Sequence, residues 1–247
     1  MATLSGKTAW ITGGGTGIGA ASAVALADAG AEVVVSGRRE EPLRKIAKEI
    51  AAAGGTARVE VLDVARAADV RAVADRIGEV DILLASAGLN VPTRAMAAVS
   101  DDDWDLVVNV NLNGVFYPAR AVLPGMRAKG DGQLILISSW AGRYATRLTG
   151  AAYNATKRAV IALSESINDE EGANGIRSTV IMPGEVATPI LKSRPNPPSQ
   201  AEQDRMLQAE DLAATVRFVA EMPPRACINE VLISPTWNRF YQGFAEL

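Results

Sequence analysis

The 247-residue sequence contains no histidine and only one cysteine, Cys227. Histidine is the commonest general base and the commonest transition-metal ligand, so any acid–base chemistry must come from Tyr, Lys, Asp, Glu or Ser, and no metal site is predicted. A lone cysteine cannot form an intrachain disulfide, and nothing indicates an oxidising compartment. We therefore expect a cytoplasmic protein.

Signals for membranes and for nucleic acids are also scarce. Met1–Gly6 lack the basic and apolar regions of a secretion signal, and no apolar run reaches the roughly 20 residues that span a bilayer. The 25 basic and 28 acidic residues are interspersed, without the basic stripe that would bind a phosphate backbone. The sequence predicts a soluble chain, with neither a membrane nor a nucleic acid as partner, that folds as one domain over residues 1–247.

Short apolar runs alternate with longer segments of helical spacing. Seven runs are predicted to be buried strands: Thr8–Thr12, Glu32–Ser36, Arg58–Leu62, Asp81–Ala85, Gln133–Ile137, Arg177–Met182 and Ile228–Ile233. Helices are predicted at Ala20–Ala29, Pro42–Ala53, Asp69–Ile77, Asp103–Ala128, Ala151–Glu170 and Glu210–Ala220. Apolar strands joined by helices favour an α/β fold, a doubly wound sandwich with a central seven-stranded parallel sheet and helices on both faces.

Two segments near the C-terminus lack this pattern. Four prolines interrupt Thr188–Gln208, between the sixth strand and the last helix. This composition predicts a mobile substrate lid at about residues 188–208, called the lid segment below. The pattern assigns no structure to Trp237–Leu247.

A glycine-rich segment, Gly13–Gly19, follows the first predicted strand and opens the first helix. Gly13, Gly17 and Gly19 permit a tight turn, a close backbone approach to a pyrophosphate and close helix packing, and a helix N-terminus favours an anion. The alternative is a merely flexible turn. We predict a dinucleotide site here. It also includes three further residues of the segment: Gly15, Thr16 and Ile18.

Arg38 and Arg39 follow the end of the second predicted strand, where folds that prefer NAD place an acidic residue on the ribose. A planar guanidinium suits a 2′-phosphate, so NADP(H) is favoured and NAD(H) remains possible. Alternatively, both arginines are solvated residues at the start of the next helix. Further contacts to adenine and ribose are expected at the carboxyl ends of the third and fourth strands: Asp63, Val64, Ser86, Ala87 and Gly88.

Tyr153 and Lys157 are four residues apart in a predicted helix and therefore share a face. A free tyrosine has a pKa of about 10, and a neighbouring ammonium is expected to lower the pKa of Tyr153 enough for acid–base work near neutrality. Ser139 follows the fifth strand at the same sheet edge, and its hydroxyl could donate to a substrate oxygen. Taken alone, such a tyrosine–lysine pair is more often a surface pair than a catalytic one.

Six motifs follow one another along the chain: Thr12–Gly19, Ser86–Gly88, Asn111–Gly114, Ser138–Ser139, Tyr153–Lys157 and Pro183–Gly184. Together they resemble the short-chain dehydrogenase/reductase family over nearly the whole chain. The resemblance implies a Rossmann-type fold and a catalytic tetrad of Asn111, Ser139, Tyr153 and Lys157, in which Tyr153 exchanges a proton with the substrate oxygen. Ser138 stays an alternative to Ser139, because neighbouring residues at a strand end point in opposite directions.

The resemblance also implies contacts to the cofactor. Tyr153 and Lys157 would bind it, with Lys157 on the nicotinamide ribose, and Asn111 would hold a water that joins the lysine to a proton relay. The turn after the sixth strand would contact the nicotinamide through Pro183, Gly184, Val186 and Thr188. Two departures from the family pattern are Ala85–Gly88 in place of Asn-Asn-Ala-Gly and a glycine loop without a basic residue.

The predicted activity is NADP(H)-dependent hydride transfer between nicotinamide and a carbonyl or secondary alcohol, with Tyr153 as general acid and base. Alternatives are an NAD(H)-dependent alcohol dehydrogenase and a non-catalytic nucleotide sensor. An epimerase or dehydratase would usually need a larger appended domain. The resemblance suggests a homotetramer or homodimer formed through Asp103–Ala128, Ala151–Glu170 and the last strand with its tail.

The small-molecule substrate is expected to be a medium-sized hydrophobic or aromatic carbonyl. Its predicted wall is the lid segment together with Trp140, Arg143, Tyr144, Leu148, Met182 and Leu191. In the alternative interpretation, Trp140 and Tyr144 only pack the loop after the fifth strand, and Arg143 is exposed to solvent.

Overall fold

Seven parallel strands form one sheet in the computed structural model, which describes residues 3–241 apart from the side chain of Ser193. The strands are β1 (Thr8–Thr12), β2 (Glu32–Gly37), β3 (Thr56–Val61), β4 (Ile82–Ala85), β5 (Gly132–Ile137), β6 (Ile176–Pro183) and β7 (Glu230–Ile233). Their order across the sheet is β3-β2-β1-β4-β5-β6-β7. The winding direction reverses between β1 and β4, and ligands of such sheets bind outside the carboxyl ends at this switch point.

Helices cover both faces of the sheet. They are α1 (Gly17–Asp28), α2 (Glu40–Ala52), α3 (Ala67–Ile77), α4 (Asp101–Val108), α5 (Gly114–Lys129), α6 (Trp140–Arg143), α7 (Ala151–Glu171), α8 (Gln200–Gln203) and α9 (Ala209–Ala220). Helices α1, α2 and α9 pack into one core cluster, and α3, α5 and α7 pack into the other. The predicted doubly wound α/β sandwich is therefore confirmed.

The sheet divides the core because successive side chains of a strand point to opposite faces. On β1, Ala9 and Ile11 belong to the cluster beneath α1 and α9, whereas Trp10 belongs to the cluster beneath α3 and α5. The indole of Trp10 donates to the Ser36 hydroxyl at 2.8 Å, which satisfies a polar group in an otherwise apolar layer. Burial on both faces explains why the central strands are mostly apolar.

The predicted helix Asp103–Ala128 is interrupted. Ser100 caps α4 by accepting from the backbone NH of Asp103 at 3.1 Å, so α4 begins two residues earlier than predicted. A π-helical turn, Asn109–Asn113, then separates α4 from α5. Such turns insert an extra residue and are frequent at functional sites. This one contains Asn111 of the predicted tetrad.

The lid segment has short helical turns and apolar anchors rather than one continuous loop. A 3-10 turn covers Pro189–Ser193, and α8 follows. Leu191 is buried, and the backbone NH of Ala187 donates to the Leu207 carbonyl at 2.8 Å. These contacts join both ends of the segment to the turn after β6.

The C-terminal tail is described as far as Tyr241, with a 3-10 turn at Arg239–Tyr241. Residues 242–247 of the tail lie outside the described residues. So do residues 1–2, the start of the segment in which no secretion signal is predicted. Over residues 3–241, no helix combines the length and the apolar character that crossing a membrane requires.

Candidate active site

Two adjoining cavities lie at the carboxyl ends of the strands. The first, of about 230 Å³, is lined by the glycine loop, the ends of β4 and β5, one face of α7 and the start of the lid segment. The second, of about 140 Å³, extends toward the ends of β2 and β3. Both are lined by Gly13, Thr16, Ala87 and Gly88, so together they form one elongated cleft.

Ser139, Tyr153 and Lys157 meet in the first cavity. The Lys157 ammonium is buried, donates to the Ile137 carbonyl at 2.8 Å and lies 5.6 Å from the centre of the Tyr153 ring. Burial lowers the pKa of Lys157 to about 8, because the charged form loses its hydration. Tyr153 and Lys157 therefore share one face of α7, as the sequence predicts.

The predicted effect of Lys157 on Tyr153 is wrong for this structure. Burial raises the pKa of Tyr153 above its usual value, since an enclosed phenolate is poorly solvated. The groups that oppose this rise are the Ser139 hydroxyl, through a hydrogen bond, and the guanidinium charges of Arg194 and Arg94. The sequence pattern identified a neighbouring cation but not these two arginines.

The two serines at the end of β5 have different partners. The Ser138 hydroxyl is buried and donates to the Lys157 carbonyl at 2.7 Å, which ties β5 to the backbone of α7. Ser139 caps α6 by accepting from the Ala141 NH at 3.1 Å, and its hydroxyl also bonds Tyr153. The geometry therefore favours Ser139 over Ser138 as the serine of the site.

Asn111 reaches the site from the π-helical turn. Its amide is buried, accepts from the Leu89 NH at 2.8 Å and donates to the Leu89 carbonyl at 2.9 Å. A Cβ added at Gly88 would lie 3.4 Å from the Lys157 ammonium and 3.5 Å from the Asn111 amide oxygen. Gly88 thus marks the point where the loop after β4 passes both side chains.

The glycine loop has the close approaches that its sequence predicts. Gly13 and Gly17 have φ of +70° and +56°, a region that favours glycine. A Cβ at Gly19 would lie 2.4 Å from the Gly13 carbonyl oxygen, so α1 can pack on the turn only without a side chain there. With α1 starting at Gly17, the cradle fits a dinucleotide pyrophosphate.

The remaining predicted cofactor residues fall in the same cleft. The second cavity is lined by Gly15, Arg38, Arg39, Asp63 and Val64. The first cavity is lined by Ile18, Ser86, Pro183, Gly184, Val186 and Thr188. Arg38 and Arg39 are exposed, and neither forms an ion pair with another residue of the described chain.

The predicted substrate wall is only partly correct. Trp140 and Leu191 line the first cavity, and Leu148 lines a neighbouring one. Arg143 lies 3.7 Å from Glu230 instead, and Met182 is buried in the core beneath α3 and α5. Met182 points into the core instead of the cleft, because alternate residues of β6 point to opposite faces of the sheet.

Tyr144 and the tail pack against Trp140. Tyr144 is half exposed, with its ring centre 4.9 Å from that of Trp140. Phe240 stacks on the other side of Trp140, with ring centres 5.8 Å apart and planes at 6°. Phe240 also lines the first cavity, so part of the previously unassigned tail belongs to the site.

Sequence reasoning also missed an ion cluster at the same end. The Glu185 carboxylate is almost fully buried and is bound by Arg239 through two hydrogen bonds of 2.7 Å and by Arg194 at 2.6 Å. Arg239 also pairs with Glu202 of α8 at 2.6 Å. These residues are up to 54 positions apart, and no linear spacing could have revealed them.

Comparison with known proteins agrees with this geometry. The family profile described as short chain dehydrogenase matches residues 7–198. A metagenomic short-chain oxidoreductase solved in complex with NADP is 31% identical, with a TM-score of 0.83 and coverage of 96% of this chain and 100% of that one. A gluconate 5-dehydrogenase from Burkholderia cenocepacia J2315, solved with NADP and tartrate, is 33% identical, with a TM-score of 0.84 and coverage of 93% and 94%.

A curated relative of different length is the glycine betaine reductase ATRR of Emericella nidulans. The match is 35% identical over an alignment of 244 positions and covers 94% of this chain but only 19% of that protein. The family match nevertheless covers most of the chain and coincides with the cleft described above. The chain belongs to the short-chain dehydrogenase family and is an oxidoreductase of that family.

Proposed function

We propose that the protein is an NADP(H)-dependent oxidoreductase that interconverts a carbonyl and a secondary alcohol, with Tyr153 as the general acid and base. The observation that carries this proposal is the meeting of Ser139, Tyr153 and Lys157 in a cavity continuous with the glycine cradle. A hydroxyl donor, a proton carrier and a buried ammonium then lie beside the place where a nucleotide would bind. This arrangement suits a reaction that builds charge on one substrate oxygen.

In the proposed mechanism, the Ser139 hydroxyl donates to the substrate oxygen and Tyr153 gives it a proton during reduction, or takes one during oxidation. The raised pKa of Tyr153 keeps the phenol protonated at neutral pH, which suits the reducing direction. The buried Lys157 ammonium provides positive charge near the ring and donors for the ribose hydroxyls of the cofactor. Asn111 lies next to Gly88 and Lys157 and would position a water that continues the proton path.

The residues present fit a dinucleotide. The pyrophosphate would bind at Gly13–Gly19 and the N-terminus of α1, the adenosine between Asp63, Val64 and Ala87, and the nicotinamide beside Val186 and Thr188. When bound, NADP(H) supplies or accepts the hydride at the substrate carbon. The preference for NADP(H) over NAD(H) is supported by the two exposed guanidinium groups that line the second cavity.

The catalytic assignment is tested with Tyr153→Phe and Ser139→Ala, using Ser138→Ala as the matched control. We expect both site variants to lose NADPH oxidation with a carbonyl panel by at least about 100-fold, the usual contribution of positioned acid–base groups. Their affinity for NADPH should stay measurable by fluorescence. Ser138→Ala should keep turnover and lose about 1 kcal/mol of stability through its bond to the Lys157 carbonyl.

Full activity of Tyr153→Phe would remove the tyrosine from the mechanism. Tight nucleotide binding by the unmodified protein, without turnover of any carbonyl or alcohol, would instead favour the nucleotide-sensing alternative.

The cofactor preference is tested with Arg38→Asp, which removes a phosphate partner and adds repulsion against one. We expect the ratio of kcat/KM for NADPH to that for NADH to fall by about 100-fold, which corresponds to roughly one charge-assisted contact. Arg44→Asp is the matched control, because Arg44 is exposed on α2, pairs with Glu40 and does not line the cleft. An unchanged ratio in Arg38→Asp would show that Arg38 is only solvated.

We propose a cytoplasmic homotetramer or homodimer of a chain folded as one domain over residues 1–247. The helices predicted to form the interface expose Leu106 and Phe116, and β7 exposes Leu232. Exposed apolar side chains are typical of surfaces that are buried by association. Light scattering during size-exclusion chromatography measures the number of subunits.

A further inference from the structure

Residues 237–241, called the strap below, follow β7 and contact both the lid segment and the candidate active site. The turn after β6 is joined to the end of β7, because the Gly184 NH donates to the Ile233 carbonyl at 2.7 Å. Within the strap, the Asn238 side chain is buried and accepts from the Phe240 NH at 3.0 Å. The strap is therefore a compact turn fixed beside the cleft.

Arg239 makes the central contacts of the strap. Its buried guanidinium binds Glu185 through two hydrogen bonds of 2.7 Å and pairs with Glu202 of α8 at 2.6 Å. Glu185 belongs to the turn after β6, and the same carboxylate binds Arg194 of the lid segment at 2.6 Å. One strap side chain thus reaches the lid segment by two routes, directly through Glu202 and indirectly through Glu185. Enclosed charge pairs of this kind are costly to separate, because each partner would be left buried and unpaired.

A second strap residue contacts the lid segment beyond α8. The guanidinium carbon of Arg205 lies 3.8 Å from the centre of the Trp237 ring. A guanidinium stacked on an indole is attracted by the ring face, and the attraction is weaker for an exposed arginine such as this one. The backbone adds a third contact, since the Leu207 NH donates to the Glu185 carbonyl at 3.1 Å. The lid segment is therefore held by the strap at Glu202 and Arg205 and by the turn after β6 at Leu207.

The strap also supplies part of the wall of the candidate substrate site. Phe240 lines the first cavity and stacks on Trp140, with ring centres 5.8 Å apart. Leu191 of the lid segment lines the same cavity. Arg239 and Phe240 are neighbours in one 3-10 turn, so the bonds that fix the guanidinium also fix the ring. Enclosure of the cavity and attachment of the lid segment therefore depend on the same turn.

We propose that the strap holds the lid segment over the substrate site, and that Arg239 is the positioning residue that joins the two. The proposal rests on the proposed function, because a closed lid segment affects turnover only if a substrate occupies the first cavity. Arg239 lines neither cavity of the cleft and acts through Glu185 and Glu202. Release of the strap opens the first cavity to water and weakens substrate binding, while the nucleotide cradle at Gly13–Gly19 stays in place.

Limited proteolysis with trypsin measures opening of the lid segment without any turnover. The bonds after Lys192 and Arg205 lie in this segment, and both side chains are exposed, so cleavage there depends on opening of the surrounding backbone. In Glu202→Gln, glutamine keeps the cap of α8 with Ser199 and removes the charge that pairs with Arg239. We expect cleavage in the lid segment to become about two- to fivefold faster, the effect of one partly exposed ion pair.

Asp204→Asn is the matched control, because it removes a carboxylate of the lid segment that binds Gln200 instead of the strap. Arg239→Gln breaks both routes and should speed cleavage in the lid segment by at least about tenfold. Arg239→Lys should restore part of the protection, since one ammonium cannot reproduce the planar fork. Cleavage after Lys45 and Lys48, exposed on α2, is followed in the same digests. Equal rates in α2 and in the lid segment would show that the whole chain unfolds first, and would overturn the proposal.

Steady-state kinetics connect the lid segment to the substrate. NADPH oxidation is measured with acetophenone, cyclohexanone and 2-heptanone, and NADP⁺ reduction with the corresponding alcohols. For the best substrate, we expect KM to rise about two- to fivefold in Glu202→Gln and at least about tenfold in Arg239→Gln, with kcat within about threefold. The Kd for NADPH should stay within about twofold. Loss of folded protein would lower kcat instead and leave KM unchanged.

The two measurements separate the strap from the chemistry. Turnover with unchanged cleavage of the lid segment, or with faster cleavage and unchanged KM, overturns the role of the strap and leaves the proposed function intact. Faster cleavage confined to the lid segment, without turnover of any ketone or alcohol by the unmodified protein, supports the attachment of the lid segment and overturns the proposed function. Absence of both effects overturns both.

Discussion

The buried ammonium of Lys157 makes the stability of the folded chain depend on pH. Burial lowers the pKa of Lys157 from its ordinary value of 10.5 to about 8. Between these values the unfolded chain binds a proton that the folded chain releases, so the free energy of unfolding rises with pH. Each pKa unit corresponds to about 1.36 kcal/mol, which makes the cost of burying the charged lysine about 3 kcal/mol at pH 7.

The perturbation is Lys157→Met, which keeps a side chain of similar length and removes the charge. Without nucleotide, the variant should be more stable than the unmodified protein at pH 7 by up to about 3 kcal/mol, less whatever the lost bond to the Ile137 carbonyl contributes. About 2 kcal/mol of the difference should disappear by pH 9.5, because the free energy of unfolding of the unmodified protein increases as the lysine deprotonates.

The assay is urea unfolding followed by fluorescence at pH 7, 8, 9 and 9.5, at one protein concentration so that association contributes equally. Other groups that titrate in this range, such as the Cys227 thiol, are present in both proteins and cancel in the difference. Lys48→Met, at an exposed position on α2, is the control and should give a flat difference. A difference between Lys157→Met and the unmodified protein that does not change with pH would refute the reasoning.

Two further predictions concern packing. Gly19→Ala places a Cβ 2.4 Å from the Gly13 carbonyl oxygen and should weaken NADPH binding by at least about tenfold in calorimetry, whereas Gly125→Ala, with open space around it, should not. Arg239→Gln should lower the unfolding free energy by about 3 kcal/mol, the low end for a broken buried pair because Arg194 still binds Glu185. Loss of the exposed Arg217–Glu221 pair should cost less than about 1 kcal/mol, and equal losses would contradict the argument from burial.

Hydrophobic periodicity was sufficient to predict the strands of the sheet, because buried strands and amphipathic helices differ in the spacing of their apolar residues. It placed β1 at the correct residues and found all seven strands, although β3 starts two residues earlier than predicted and β7 starts two residues later. It could not show the π-helical turn at Asn109–Asn113, since an extra residue in a helical turn leaves the surrounding apolar spacing almost unchanged.

The sequence by itself determined the α/β class, the glycine cradle and the pairing of Tyr153 with Lys157, because each depends on residues that are neighbours along one strand, turn or helix. Only the tertiary structure separated Ser138 from Ser139, since the choice depends on which hydroxyl is used by the backbone of α7. It alone also brought Arg94 and Arg194 together beside Tyr153. Side chains from a strand-end loop and from the lid segment meet only after the sheet has folded, because no spacing along the chain relates them.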